Sequence, residues 1–199
     1  MSLIRPHLTP CTLPLGSEEA LAGVEVSGIP RGLVCVDALV KKAPVRVMLT
    51  TPITPGKFLI LFDGGVAEVE ESVNEAERVA ADQLIDRLFL PFAHPQLEPA
   101  AFGVVPPRPE GAIGLVETAT ACSGLRSADA ALKAAPVTLA VLHLSAGIGG
   151  KCYYALAGEL YDVEASVSAA ADSLAGTERL LSTEVIARPH PEFLQALGL

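Results

Sequence analysis

The amino-acid sequence predicts an α+β protein that contains two tandem copies of one small domain. Two observations lead to this prediction. The chain repeats itself at an almost constant spacing, and each copy alternates between strand-like and helix-like patterns of apolar residues. A chain of 199 residues accommodates two domains of roughly 90–100 residues each, which lies within the usual size range for a domain.

The repeat is strongest between residues 25–45 and residues 117–137, where nine of twenty-one positions are identical at a constant offset of 92. The identical pairs include Gly32 with Gly124, Leu33 with Leu125, Asp37 with Asp129 and Lys41 with Lys133. Further along, residues 64–70 (GGVAEVE) match residues 158–164 (GELYDVE), and each copy closes on a His-Pro pair. Agreement of this extent indicates a duplicated domain with small loop insertions.

Each copy opens with a short extended run, at 22–26 and at 113–118, which leads into an amphipathic helix. The apolar residues expected on one face of this helix are Leu33, Val36, Leu39, Val40 and Ala43 in the first copy and Leu125, Ala128, Leu132 and Ala135 in the second. Pro44 and Pro136 follow the two helices and end them, because proline lacks an N–H and its ring blocks continuation.

Two β-rich runs come next in each copy, and a glycine-containing loop joins them as a hairpin. These runs are 45–49 with 58–62 and 137–144 with 152–157. A second amphipathic helix follows, and its apolar residues are Val66, Val69, Val73, Ala76 and Val79 in one copy and Leu160, Val163, Val167, Ala170 and Leu174 in the other. A last strand, at 88–91 or 180–187, completes the ferredoxin-like order β-α-β-β-α-β.

The predicted organisation is an N-terminal extension at 1–20, a first domain at 21–98, a linker at 99–111 and a second domain at 112–199. The linker is rich in proline and is expected to act as a stiff spacer. The extension matches nothing in the second copy and is expected to be mostly irregular.

Composition and charge exclude several partners. Half of the residues are hydrophobic and the mean hydropathy is +0.44, which is consistent with a surface buried against other subunits and equally with a large core. The net charge is −9 and no cluster of Lys and Arg exists, so neither nucleic acid nor a membrane surface is an expected partner. No segment approaches the roughly 18–20 apolar residues of a membrane helix, and no signal peptide is recognisable, so a cytoplasmic protein is expected.

No arrangement of residues for catalysis or metal binding is recognisable. The four cysteines lie far apart, at Cys11, Cys35, Cys122 and Cys152. They are expected to be buried free thiols. His94 and His190 occupy equivalent ends of the two copies, which favours a structural hydrogen bond over catalysis. The Gly-rich run at 147–151 lacks phosphate-loop spacing and favours a tight turn. The sequence therefore predicts no enzyme activity, no cofactor and no metal.

Four stretches of the second copy resemble the bacterial microcompartment (BMC) shell domain. They are 112–118 (AIGLVET), 127–135 (SADAALKAA), 147–152 (GIGGKC) and 187–190 (ARPH). The first copy repeats them more loosely, so the resemblance spans about residues 20–195 with the elements in unpermuted order. Within the family, the chain resembles in particular the tandem-domain shell proteins of propanediol-utilisation microcompartments.

The resemblance implies a structural protein of the microcompartment shell that forms a trimer with the outline of a hexamer, a pseudohexamer. The implied partners are further copies of the chain, shell hexamers and pentamers, and small polar metabolites that pass a central pore. By position, the pore-lining residues are Ile53, Thr54, Pro55, Gly56, Gly147, Ile148, Gly149 and Gly150, and the residues at the edges of the tile are Lys41, Lys133, Arg188 and His190. Ala93 is expected at the position of Arg188 in the first copy, which would make the edges unequal.

One position bears on cofactor chemistry. In the propanediol-type relatives, a cysteine stands where this chain has Thr54, and three copies of it are thought to hold an iron–sulfur cluster. Because a hydroxyl is a poor iron ligand beside a thiolate, no cluster is expected here and a redox carrier is disfavoured. A tandem ferredoxin-like module that binds a small ligand or has a regulatory role stays open as an alternative, since fold does not dictate function.

Overall fold

The computed structural model describes residues 19–106 and 111–197. The predicted extension at 1–20 therefore lies almost entirely outside the described residues, as do Cys11 and linker positions 107–110. None of the helices in the described part of the chain is long and apolar enough to cross a membrane.

Both copies contain the predicted β-α-β-β-α-β order. The elements of the first are β1 (Ala20–Val26), α1 (Ile29–Lys42), β2 (Arg46–Ile53), β3 (Lys57–Gly64), α2 (Val66–Ala80) and β4 (Leu84–Pro91), with a 3-10 turn at Ala81–Gln83. After a short helix, α3 (Leu97–Ala101), the second copy contains β5 (Ala112–Thr118), α4 (Ala121–Ala134), β6 (Thr138–Leu144), β7 (Cys152–Gly158), α5 (Leu160–Asp172) and β8 (Leu180–Ile186), and then α6 (Pro191–Leu197).

Each copy forms one antiparallel sheet of four strands, in the orders β2-β3-β1-β4 and β6-β7-β5-β8. The two predicted hairpins are confirmed, because β2 pairs with β3 and β6 pairs with β7. In the first sheet, alternate residues of β1 and β3 such as Val24 and Ile60 join α1 and α2 in one core. A buried pair of charges on β2 and β3, Arg46 and Asp63, adds a two-pronged ion pair across this hairpin.

Close contact between helix and sheet explains one of the identities in the repeat. A Cβ atom at Gly32 would lie 2.3 Å from the ring of Phe58, and a Cβ atom at Gly124 would lie 2.2 Å from Sγ of Cys152. Both distances are far shorter than a van der Waals contact, so only glycine allows α1 and α4 to pack this closely on their strands.

The predicted core faces of α2 and α4 are buried or half-buried, whereas α1 and the first residue of α5, Leu160, depart from the prediction because Leu160 is exposed. On α2, Val69, Val73 and Ala76 are buried as predicted. On α1 the core is reached by Gly32, Cys35 and Leu39, whereas Leu33 and Val40 are exposed. The period of the helix is as predicted, but α1 carries two apolar stripes and only one of them faces the sheet of its own repeat.

The described residues group into two compact units whose boundaries differ from the predicted domains. Unit 1 contains the chain through Ala93 together with Ser145–Gly150, and unit 2 contains His94–Leu144 and the rest from Lys151. The sequence placed the end of the first domain at 98 and treated 99–111 as linker. Residues 94–101 instead belong to unit 2, where α3 buries Leu97 and Ala100.

The expectation for the cysteines is confirmed for Cys35, Cys122 and Cys152, which are buried and form no disulfide within the part of the chain that the structure describes. Burial raises the pKa of the Cys35 thiol, so this group stays protonated and packs as a small apolar side chain.

Candidate functional site

The first predicted pore loop is a three-residue turn. Ile53 pairs with Lys57 at the end of the hairpin, which leaves Thr54, Pro55 and Gly56 in the turn. Gly56 has a φ of 110° and donates its N–H to the carbonyl of Ile53 at 2.9 Å. Ile53 is buried beneath the turn, and the three turn residues are exposed.

The second loop is longer and is built from left-handed backbone. Leu144 pairs with Cys152, so seven residues connect β6 to β7. The residues with positive φ in this loop are Ser145, Gly147, Gly149 and Gly150. The hydroxyl of Ser145 donates to the carbonyl of Gly150 at 3.1 Å and ties the two ends of the loop together. Glycine adopts these φ values without steric cost, which is why the loop contains so many.

Unit 1 brings the two loops together, since Ser145–Gly150 belongs to it. A Cβ atom at Gly150 would lie 2.7 Å from the carbonyl oxygen of Thr54 and 3.1 Å from Nζ of Lys57. A Cβ atom at Gly147 or Gly149 would meet nothing within 4 Å. The loops therefore touch through Gly150 and Thr54, while the two other glycines face open space.

The predicted edge lysines take the same position in the two repeats and differ in surroundings. Lys41 donates to Asp37 at 2.6 Å on an exposed surface of α1. Lys133 donates to Asp129 at 2.6 Å on α4, but there the aspartate is buried. The two aspartates are functional candidates that the sequence analysis missed, although the repeat contained the signal: each stands four residues before its lysine.

The two histidines that close the repeats have the structural role that the sequence favoured. Nδ1 of His94 accepts the N–H of Gln96 at 3.3 Å, and Nδ1 of His190 accepts the N–H of Glu192 at 3.2 Å. Burial lowers the pKa of His94, which keeps its ring neutral and able to accept this bond. Each imidazole therefore holds a turn that begins a short helix.

The strand registers correct the expectation that Ala93 is the first-repeat equivalent of Arg188. Ala22 of β1 pairs with Phe89, and the equivalent Gly114 of β5 pairs with Val185. Three residues further along, Phe92 and not Ala93 is therefore the counterpart of Arg188. Both side chains are exposed, so an aromatic ring stands in the first repeat where the second has a guanidinium.

Within 19–106 and 111–197, no group of three or more His, Cys, Asp or Glu side chains could hold a metal ion. Thr54 offers only a hydroxyl and a carbonyl to the loop region.

Comparison with known proteins agrees with this geometry. The family model of the BMC domain matches the chain twice, at residues 20–93 and 112–189. The chain belongs to the BMC-domain family.

Two relatives illustrate the duplication. The bacterial microcompartment shell protein PduT of Citrobacter freundii is 37% identical over 172 residues, which cover 86% of this chain and 94% of that protein. The carboxysome shell protein CcmK2 of Synechococcus elongatus is 43% identical over 82 residues, which cover 40% of this chain and 78% of that protein. A BMC-domain protein of about half the length thus matches a single repeat.

The crystal structure of a microcompartment protein from Desulfitobacterium hafniense DCB has the same fold, with a TM-score of 0.80 and 34% sequence identity. The match covers 90% of this chain and 99% of that one. The chain is thus a structural protein of a bacterial microcompartment shell with two BMC domains in tandem and unpermuted order. The comparisons do not favour the alternative of a ligand-binding or regulatory module.

The contact between the loops predicts unequal effects of two neighbouring glycine substitutions. Gly149→Ala places a Cβ atom in open space at positive φ and should cost about 1 kcal/mol. Gly150→Ala adds a clash with the carbonyl of Thr54 and should cost about 1–3 kcal/mol more. Urea unfolding midpoints of the two variants measure the difference. Equal midpoints would show that the loops do not approach each other at Gly150.

Proposed function

We propose that this shell protein assembles as a homotrimeric tile, in which three two-domain chains supply six equivalent domains around a central pore. The observation that carries the proposal is a difference in burial between the two repeats. Apolar positions that are exposed in one repeat are buried or half-buried in the other.

The first difference concerns the long helices that open the repeats. Leu33 of α1 is 56% exposed, and its counterpart Leu125 of α4 is 0% exposed. Val40 is 45% exposed, and its counterpart Leu132 is 5% exposed. The repeated helix thus has an outer apolar face that is covered in the second repeat and open in the first.

The second difference runs in the opposite direction and concerns the last strands. Leu181 and Val185 of β8 are exposed, whereas their counterparts on β4, Ile85 and Phe89, are half-buried. The chain therefore has an open helix face in its first repeat and an open strand face in its second.

Two different exposed apolar faces on one chain support a head-to-tail association, in which the helix face of one copy contacts the strand face of the next copy. Such a heterologous contact forms a ring when the rotation between copies closes. Closure with three chains gives the six domains of a pseudohexamer and leaves none of these apolar positions open to water.

The two loops are proposed to line the pore of the tile. Thr54, Pro55 and Gly56 are exposed on one loop, and the backbone of the second loop is open at Gly147 and Gly149. Hydroxyl and amide dipoles would then form the rim, with Lys57 near it. Such a rim passes small polar or anionic metabolites more readily than cations, and it offers no thiolate for an iron–sulfur cluster.

The role proposed for the tile has no catalytic step. Its other proposed partners are hexameric and pentameric shell proteins, and the contacts with neighbouring tiles are proposed to involve Lys41, Lys133, Arg188 and His190.

The trimer is tested by the mass of the protein in solution and by one substitution. Light scattering should give about three times 20.6 kDa for the wild type. Leu33→Asp should give a folded monomer, because a carboxylate on the open face of α1 opposes association and leaves the core intact. Asn74→Asp adds the same charge on the exposed face of α2 and should leave the mass unchanged. A wild-type monomer at micromolar concentration would end the trimer proposal.

Contacts between tiles are tested by removing the edge ammonium groups. Lys41→Gln combined with Lys133→Gln should abolish two-dimensional arrays in electron micrographs and leave the mass of the trimer unchanged. Glutamine is chosen because an aspartate at 133 would face the buried Asp129 and endanger the fold. Lys42→Gln on the same helix is the control and should still form arrays. Arrays of the double variant would refute the assignment of these lysines.

Convergence of the loops on one axis is tested with Thr54→Cys. Three thiolates that meet on the axis should bind an iron–sulfur cluster on anaerobic reconstitution and give a brown trimer, whereas the wild type should stay colourless. Thr50→Cys places an equally exposed cysteine on β2 and should not gain colour. A colourless Thr54→Cys trimer, with thiols that do not crosslink, would remove Thr54 from the pore.

A further inference from the structure

Unit 2 contains a hydrogen-bonded junction between the end of the first repeat and α4. The backbone N–H of His94 donates to Oδ1 of Asp129 at 2.8 Å. The other oxygen of Asp129 accepts from Lys133 at 2.6 Å. The carboxylate of Asp129 therefore links the segment at His94 to the edge lysine, and this linkage accounts for an aspartate that is only 9% exposed.

The side chain of Gln96 completes the junction by donating one hydrogen bond and accepting another. Its amide Nε2 donates to the carbonyl of Val137 at 3.4 Å, and its Oε1 accepts the backbone N–H of Leu139 at 2.8 Å. A primary amide satisfies a carbonyl and an N–H at once, which no carboxylate can do.

The end of the second repeat has the same local shape. His190 and Glu192 repeat the imidazole-to-backbone bond of His94 and Gln96, with lengths of 3.2 Å and 3.3 Å respectively. His190 and Glu192 are nevertheless exposed. Residues 190–192 thus have the same local conformation as residues 94–96.

The first repeat presents the matching surface. Asp37 and Lys41 form the same pair as Asp129 and Lys133. Val45 just before the edge strand β2 and Val47 within it are the counterparts of Val137 and Leu139 at β6. The side chain of Asp37 is 61% exposed. In unit 2 the surface around Asp129 is occupied by residues 94–96, whereas the equivalent surface around Asp37 in unit 1 is exposed.

We propose that residues 190–192 of one protomer dock on the Asp37 surface of a second copy of this chain and repeat the junction at Asp129. The backbone N–H of His190 donates to the partner subunit's Asp37. The inference rests on the proposed trimer and adds its hydrogen bonds. It also changes the assignment of His190, which then lies between protomers near Lys41 and not at the contact with a neighbouring tile.

Glu192 makes the junction between chains different from the junction within one. A carboxylate at this position accepts the N–H of Val47 but cannot donate to the carbonyl of Val45. It also adds a negative charge beside Asp37. The contact between protomers is therefore the weaker of the two, and a glutamine at 192 restores the missing bond.

Crosslinking tests the docking directly. Asp37→Cys combined with His190→Cys should give covalent dimers and trimers on a denaturing gel after mild oxidation, and neither single variant should. The control is Asp129→Cys combined with His94→Cys, which should close a disulfide within one chain and form no covalent oligomer. A trimeric wild type whose Asp37→Cys, His190→Cys variant stays monomeric on the gel would overturn the inference and leave the trimer standing. A monomeric wild type would instead end the trimer proposal.

A second variant decides the matter if the cysteine proteins do not fold. Glu192→Gln should tighten each contact between protomers about three- to tenfold, because each contact gains one hydrogen bond. The trimer should therefore persist at lower protein concentration than the wild type, measured by sedimentation at decreasing concentration. Glu178→Gln removes the same charge at another exposed position and should leave the dissociation constant unchanged. No tightening by Glu192→Gln, or equal tightening by both variants, would overturn the inference.

Discussion

The proposed assembly depends on one apolar stripe of the repeated helix, which contains Leu33 and Val40 on α1 and Leu125 and Leu132 on α4. Exposure of such a stripe to water is unfavourable, so each copy of it favours a contact that covers it. Burying one such leucine is worth roughly 1.5–3 kcal/mol. Leu125 gains this energy within the chain, and Leu33 does not. A duplicated domain cannot cover both copies of the same face with its own residues unless it closes on itself. The first repeat therefore keeps an exposed apolar face, whereas the equivalent face in the second repeat is buried.

Fusion of the two domains also makes the stability of a contact depend on whether the contact lies within one chain or between two. A contact within one chain forms at the high effective concentration set by the linker, whereas a contact between chains depends on protein concentration. The contact between chains is the one that would benefit more from an additional hydrogen bond. Gln96, which both donates and accepts, nevertheless lies in the contact within the chain. Glu192 stands at the equivalent position. In the proposed trimer, the contact within the chain would therefore have one more hydrogen bond than the contact between chains.

The sequence predicted the order of elements, both hairpins and the core of α2, because apolar periodicity and proline positions are local properties of the chain. It did not predict α3 and α6, whose first turns are held by His94 and His190 through bonds that have no strong sequence pattern. It also treated Leu33 as a core residue, since periodicity reports that a face is apolar and not which surface covers it. The aspartates beside the edge lysines were visible as identities, but their importance follows from burial, which differs between the two repeats.

The loops diverged where the sheets did not, and the physical reason lies in what each must satisfy. Strand pairing gives the two hairpins equivalent registers, in which Pro52 pairs with Phe58 and Leu144 with Cys152, and the first hairpin continues for one further pair, Ile53 with Lys57. Beyond these pairs the two connections differ: the first repeat has a three-residue turn that contains a proline, and the second has a seven-residue loop that contains three glycines. Two constraints hold the longer loop: the hydrogen bond from Ser145 to the carbonyl of Gly150, and the approach of Gly150 to the carbonyl of Thr54, which forbids a side chain there. The chemistry of the loop rim can therefore change by substitution at Thr54, Gly147 or Gly149 without cost to the fold beyond the strain of a positive φ, whereas Gly150 must stay as it is.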